Sequence, residues 1–250
     1  MTIFPLGDSA VTIELENRMG EDLNRQVLAM AAWLESHPIA GVMDLIVGYC
    51  SLSVYFDPVA VRLQQAFSCS IFDFFQARLE EAWRCSANQS PELERDILEV
   101  PVCYEAPCAP DLETVCRRLG LSAEEIISRH VSRIYRVYMI GFLPGFSYMG
   151  RIDDELVMPR KQNPVSVAAG CVGIAGLQTG IYSLACPGGW HIIGKTPWKI
   201  FSPLKPIPVR FVAGDRVRFF SVSGEVYREL EARESTTWEM ESSNDYLKPN

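Results

Sequence analysis

The sequence predicts an α+β protein of two unlike domains: a small ferredoxin-like α/β domain, then a β-barrel. Three observations carry this. The first hundred residues alternate between apolar runs of strand character and runs at helical spacing. Residues 133–222 hold only short β-rich runs broken by Gly and Pro, and ten of the 17 glycines lie between 141 and 194. Many short strands with glycine corners suit a barrel or sandwich rather than a parallel sheet. The end of the chain is polar and acidic. The expected boundaries are 1–90 for the first domain, 91–230 for the barrel and 231–250 for an acidic tail.

Each element has its own signal. Ala10 to Leu15 has strand composition, and Glu21 to Leu34 places Leu23, Val27, Met30, Ala31 and Leu34 on one helical face. Gly41 to Gly48 and Ser51 to Phe56 read as strands, stopped by Gly48 and Asp57-Pro58. Helical spacing returns from Val59 to Trp83, and Ser86 to Pro91 is a polar break. Ile97 to Cys103 is a further strand, which either completes a βαββαβ unit or opens the second domain. Asp111 is the expected N-cap of a helix over 112–119 ended by Gly120, and Ser122 with Glu125 forms a capping box for the next. The barrel strands are expected at 134–140, 165–167, 172–175, 190–193, 209–212 and 216–220.

Composition excludes several classes. With 250 residues, 48% hydrophobic and 22% charged, the chain is neither disordered nor low-complexity. No 18-residue apolar run predicts a membrane span. The segment Met1 to Asp8 lacks a basic start, so the expectation is no secretory signal and a cytoplasmic location. A net charge of −8 disfavours general nucleic-acid binding. That total is unevenly spread. Residues 1–158 carry 12 basic and 23 acidic side chains, residues 159–220 eight basic and one acidic, and the remainder three basic and seven acidic. The cationic middle block is either solvated strand edges or a site for a small anionic ligand. Eight scattered cysteines and three isolated histidines offer no CxxC pair and no metal-ligand spacing, so no metal site is expected.

Three segments could carry chemistry. Gly189 to Thr196 matches GxxxxGK[ST], but Trp, His and two Ile fill its variable positions and Pro197 forbids the helix a P-loop needs. Lys195 can meet an anion without that architecture. Gly141 to Tyr148 is a shaped turn with aromatic faces, either a ligand wall or a buried corner. Ala175 to Tyr182, with Pro187-Gly-Gly-Trp190, brackets Gln178 and Thr179 between glycines, as ligand-approaching backbone or as plain hairpin tips. No nucleophile elbow, zinc-protease motif or triad spacing is present, and His130 and His191 read as packing or surface residues.

Taken in order, Gly141-Phe-x-Pro-Gly-Phe146, Pro159-Arg160, Val172-x-Ile-Ala-Gly-x-Gln-Thr-Gly-Ile-Tyr182 and Pro187-Gly-Gly-Trp-x-Ile-Ile-Gly-x-Thr-Pro197 resemble one family. It is that of the 5-oxoprolinase B subunit, also called KipI or allophanate hydrolase subunit 1, and is related to a subdomain of urea carboxylase. The resemblance implies a cyclophilin-like barrel and the ATP-dependent opening of 5-oxoproline to glutamate, shared with A-type and C-type partner subunits. ATP, with Mg2+, would bind here or on a partner. On that reading Arg160, Gln178 and Lys195 are catalytic candidates. Phe142, Pro144, Gly145, Phe146, Thr179, Tyr182, Gly188, Gly189, Trp190 and Thr196 would line the substrate or nucleotide. Two alternatives stay open: a KipI-type inhibitor docked on a sensor histidine kinase, and an allophanate hydrolase subunit, which the missing amidase segment disfavours. The family's second Pro-Arg, its Val-Pro and its Gly-Ser-Val read here Pro164-Val165, Val167-Ala168 and Gly170-Cys171-Val172, and its glycine pair reads Glu105-Ala106. A lost arginine leaves room for a different amide substrate.

Overall fold

The computed structural model describes residues 1–64, 69–86 and 96–245. The expected break at 86–91 lies outside these from residue 87 onward. The chain divides into two compact units, Met1–Arg95 and Asp96–Asn250.

The first unit is a four-stranded antiparallel sheet in the order β1-β2-β4-β3, made of β1 (Thr2–Pro5), β2 (Ala10–Glu14), β3 (Val42–Val47) and β4 (Ser51–Phe56). Strict alternation in β4 buries Leu52, Val54 and Phe56 and leaves the residues between them half-exposed. Helix α1 (Glu21–Ser36) buries Leu23, Val27, Met30 and Leu34 against that core, as its spacing predicts. The helical run after Asp57 is two helices, α2 (Pro58–Gln64) and α3 (Ile71–Ser86). Asp57 Oδ1 starts the first by accepting from the Val59 and Ala60 N–H groups. In α3, Phe75 stacks on Phe56 with ring centroids 4.4 Å apart.

The ferredoxin-like expectation is corrected here. In a βαββαβ unit Ile97–Cys103 would lie beside β2, but that edge is held by β1, and it is the other expectation, that this strand opens the second domain, that is met. A hairpin from Leu6 to Ala10 pairs β1 with β2 at the cost of a short loop only. The strand β5 (Ile97–Cys103) instead runs parallel to β13 (Arg216–Val222) over its whole length.

In the second unit seven strands close a barrel in the order β10-β7-β6-β13-β5-β12-β9. The others are β6 (Ile134–Ile140), β7 (Ser147–Gly150), β9 (Cys171–Ala175), β10 (Gln178–Ile181) and β12 (His191–Lys195). Val100, Val102, Tyr135, Val137, Ile174, Ile193, Val217 and Phe219 fill the interior. Two short strands, β8 (Val165–Val167) and β11 (Cys186–Gly188), pair with each other outside the barrel. The expected strand at 209–212 is reduced to one bridge between Phe201 and Val209, flanked by bonds from Arg210 N to the Ile200 carbonyl and from Ser202 N to the Pro208 carbonyl; Pro203, Pro206 and Pro208 keep the pairing from running further on that side.

Helices α4 (Leu112–Leu119) and α5 (Ala123–Val131) flank the barrel. The Ser122–Glu125 capping box forms, with Ser122 Oγ accepting from Glu125 N and Glu125 Oε2 from Ser122 N. Asp111 is the N-cap residue of α4 as expected, and its carbonyl accepts from Val115 N, but its carboxylate makes no capping bond to the helix. Helix α6 (Gly224–Asp245) occupies most of the region expected as a tail. No described helix is long and apolar enough to cross a membrane.

Candidate functional site

The structure sorts the sequence-predicted residues into three places. The first is the barrel interior. Thr179 is fully buried, and its hydroxyl donates to the Gly173 carbonyl at 3.1 Å while facing His130 Nε2 at 2.9 Å. With the Thr179 proton committed to Gly173, Nε2–H must be the donor, so Nδ1 carries the lone pair and accepts from Tyr104 Oη at 2.8 Å. Burial alone pushes the His130 pKa down to about 3, so the ring is neutral. Tyr135 Oη donates to the His130 carbonyl, and Phe219 stacks on the ring at 4.7 Å. This chain of bonds ties α5 to three barrel strands and leaves the fully buried Thr179 no proton to give a ligand.

The second place is an aromatic face. Phe146 meets Phe142, Tyr148, Tyr182 and Trp190 edge-on, with centroids 4.7–5.7 Å apart. The Arg160 guanidinium lies 5.9 Å from the Trp190 ring centroid. Phe146, Tyr182 and Trp190 are buried, whereas Phe142 is 63% exposed at the tip of the 141–146 turn. It holds φ at +69°, a left-handed conformation costly for a bulky residue. Pro144 is exposed beside it, and Gly145 is buried where the turn meets Phe201 and Val209. Gly188 must be glycine, since a Cβ there would stand 2.4 Å from Tyr182 Oη. Burial raises the Tyr182 pKa to about 12, against a lesser opposing pull from the Trp190 N–H. Gly189 joins this face to the next site through its carbonyl, which accepts from Lys161 N at 2.7 Å.

The third place is a groove of about 410 Å³ between the 107–111 loop, β8 and β12. Its polar side chains are Asp111, Lys161, Lys195 and Ser166 with the Cys108 and Cys171 thiols, and Tyr227 of α6 closes one side. Asp111 Oδ2 accepts from Lys161 Nζ at 2.6 Å and from Ile192 N at 2.7 Å. Lys195 is the less satisfied cation: Glu231 Oε1 lies 3.7 Å away, beyond hydrogen-bond range, and the Tyr227 ring 5.6 Å away. Burial first, then contact with Cys103, raises the Cys108 pKa to about 12, so that thiol stays protonated. Gly170 (φ +80°) lets its loop lie on the Lys195 stem; a Cβ there would be 2.7 Å from the Thr196 carbonyl oxygen.

Thus Arg160 and the aromatic residues gather, Lys195 and Thr196 lie together elsewhere, and Gln178 joins neither. Gln178 pairs with Ala175 and Lys195 with Cys171, at opposite ends of β9. Four strand steps separate them, roughly 13 Å. Sequence reasoning missed Asp111, which reads locally as a helix cap, and Lys161, hidden beside Arg160. Tyr227 had no signal at all. The GxxxxGKT string is strand β12 through Lys195, paired to β5 and β9, with no helix following it. Val165, Ala168 and Cys171, three departures from the family pattern, all line the groove.

The family described as carboxyltransferase domain, subdomain C and D, matches residues 1–211. The chain belongs to that family. It is 42% identical over 225 residues to the 5-oxoprolinase B subunit of Bacillus subtilis (strain 168), covering 89% of this chain and 93% of the relative. Among solved structures, TTHA0988 superposes with a TM-score of 0.71 at 33% identity, over 86% of this chain and 40% of that one. The chain therefore spans about two fifths of the length of that solved protein. The Kluyveromyces lactis urea amidolyase, at 18% identity and TM-score 0.70 over 93% of this chain and 15% of that one, shares the fold.

Proposed function

We propose that this chain is the B-type subunit of a cytoplasmic, ATP-dependent 5-oxoprolinase, working with A-type and C-type partner subunits and inactive without them. The likeness to subunits of that name over nine tenths of the chain is the observation that carries this reading. The eight free cysteines suit a reducing compartment. A lactam carbonyl is a poor electrophile. ATP would phosphorylate its oxygen, water would add to the carbon, and loss of phosphate with C–N cleavage would leave glutamate, ADP and phosphate.

The groove supplies what such a substrate needs. A ligand carboxylate would meet Lys195, whose charge Glu231 satisfies only loosely, while the Asp111–Lys161 pair offers an acceptor and a donor for the ring amide. Pre-positioned cations of this kind stabilise developing negative charge. Arg160 sits at the neighbouring aromatic face and would guard the mouth of the groove. Bound ATP with Mg2+ would supply the phosphoryl group. The barrel would be of cyclophilin-like type, a likeness of fold without consequence for chemistry.

Reconstitution tests this. With purified partner subunits, ATP and 5-oxoproline, glutamate and ADP should appear in equal amounts, and omitting this chain should stop both. Arg160→Ala and Lys195→Ala, each melting as wild type, should lower kcat/KM by about 100-fold or more. No glutamate from the full set would overturn the reading, and a fully active variant would remove that residue from the site.

A further inference from the structure

On the other side of Lys195 lies a second and larger cavity, about 680 Å³. Its wall is shared with the groove through Lys195 and Ala168. Three cations line it, Lys195, Lys199 and Arg228, against one carboxylate, Glu231. Glu234, further along α6, is taken by Arg210. The excess positive charge lies in the block of the sequence that is cationic overall, joined by one residue of α6.

Two hydroxyls in this wall have protons to give. Ser183 is 4% exposed and its Oγ has no hydrogen-bond partner among the described residues. Such a group is rare in a folded protein and calls for a partner that the described residues do not supply. Thr196 Oγ1 accepts from Trp198 N, which leaves its own proton available. Glu231 marks where an anion would sit: its Oε1 accepts from Tyr227 Oη at 2.6 Å and faces Lys195 at 3.7 Å, near but not bonded.

We infer that this cavity binds a phosphate dianion between Lys195, Arg228 and the Ser183 hydroxyl, with Glu231 competing for Lys195. The choice of phosphate over another dianion rests on the 5-oxoprolinase reading; the charge and the donors do not. The volume falls among sites that hold a whole small ligand, so the phosphate could be free or carried by a nucleotide. Lys195 would then face a lactam in one cavity and a phosphate in the other, on the line a phosphoryl group must cross.

The test uses the full chain alone, with inorganic phosphate and a non-hydrolysable ATP analogue as probes, and chloride at matched ionic strength as control. Titration calorimetry should show saturable binding of at least one probe; binding of phosphate alone assigns the site to the free anion, and binding of the analogue alone to the nucleotide. Lys195→Ala should weaken it at least tenfold and Ser183→Ala several-fold. Glu231→Gln should tighten it by roughly three- to tenfold by removing a like charge. Saturable binding of neither probe, or Lys195→Ala and Glu231→Gln both binding as wild type does, overturns the inference. An active reconstituted complex whose free chain binds neither probe sinks this site and leaves the functional reading standing. Probe binding beside a complex that makes no glutamate does the reverse.

Discussion

Lys161 Nζ and Asp111 Oδ2, fifty residues apart in sequence, meet at 2.6 Å with side chains only 17% and 20% exposed. The same carboxylate oxygen holds the Ile192 N–H, so one acid joins the loop before α4, the segment after Arg160 and strand β12. Removing one partner of a largely buried pair leaves the other charge uncompensated. Asp111→Asn should cost about 3 kcal/mol, the lower end of the range for buried pairs, read as a shift in urea midpoint. Asp111→Asn with Lys161→Met should recover part of that loss. A single variant as stable as wild type would mean the pair is held open in solution.

His130 should make stability depend on pH. Its folded pKa is pushed down to about 3 from an ordinary 6.5, so between those values the unfolded chain binds a proton the folded one refuses. Stability contributed by the neutral ring is fully present above about pH 6.5 and falls by about 1 kcal/mol per pH unit below it. Long-range proton–nitrogen spectra should show Nε2 protonated and Nδ1 bare down to pH 4.5. A titration midpoint near 6.5 would contradict the buried network.

Phe142 holds a left-handed conformation at an exposed position. Phe142→Gly removes backbone strain of about 1–2 kcal/mol and adds about 1 kcal/mol of chain entropy, so stability should move by about 1 kcal/mol or less. Activity of the reconstituted complex should fall nonetheless. Unchanged activity would reduce the ring to an ordinary turn residue.

Gln178 lies at the far end of β9 from Lys195. Gln178→Ala should change kcat/KM by less than about threefold, where Lys195→Ala changes it by about 100-fold. A large loss in the glutamine variant would require a substrate long enough to span both.

Gly170→Ala should destabilise by about 2 kcal/mol or more, from its positive φ and the close Thr196 carbonyl. It should also move the Lys195 stem, so thermal melting and phosphate affinity should fall together. A variant that melts and binds as wild type would show that this loop yields to a methyl group.

Local signals read well. The face of α1, the Ser122–Glu125 box and the barrel strands at 134–140 and 216–220 follow from spacing and capping, which depend on near neighbours alone. Signals needing a distant partner misled. Asp111 has the right letter for a cap, but Lys161 and a strand amide compete for it and win. Ile97–Cys103 has the composition of any strand, and only its parallel partner β13 decides which unit it joins.

What the order of residues settled was the class of each segment, the glycine-cornered barrel region, and the family, because propensity, periodicity and motif spacing are written along the chain. Tertiary structure alone decided which charged groups meet. It set Gln178 apart from Lys195, buried Thr179 beneath His130, and brought α6 against the cations of the barrel. Register and burial fix those distances, and both arise from pairing across tens of residues. A lysine's meaning in this protein comes from the carboxylate it faces, and that neighbour is chosen in three dimensions.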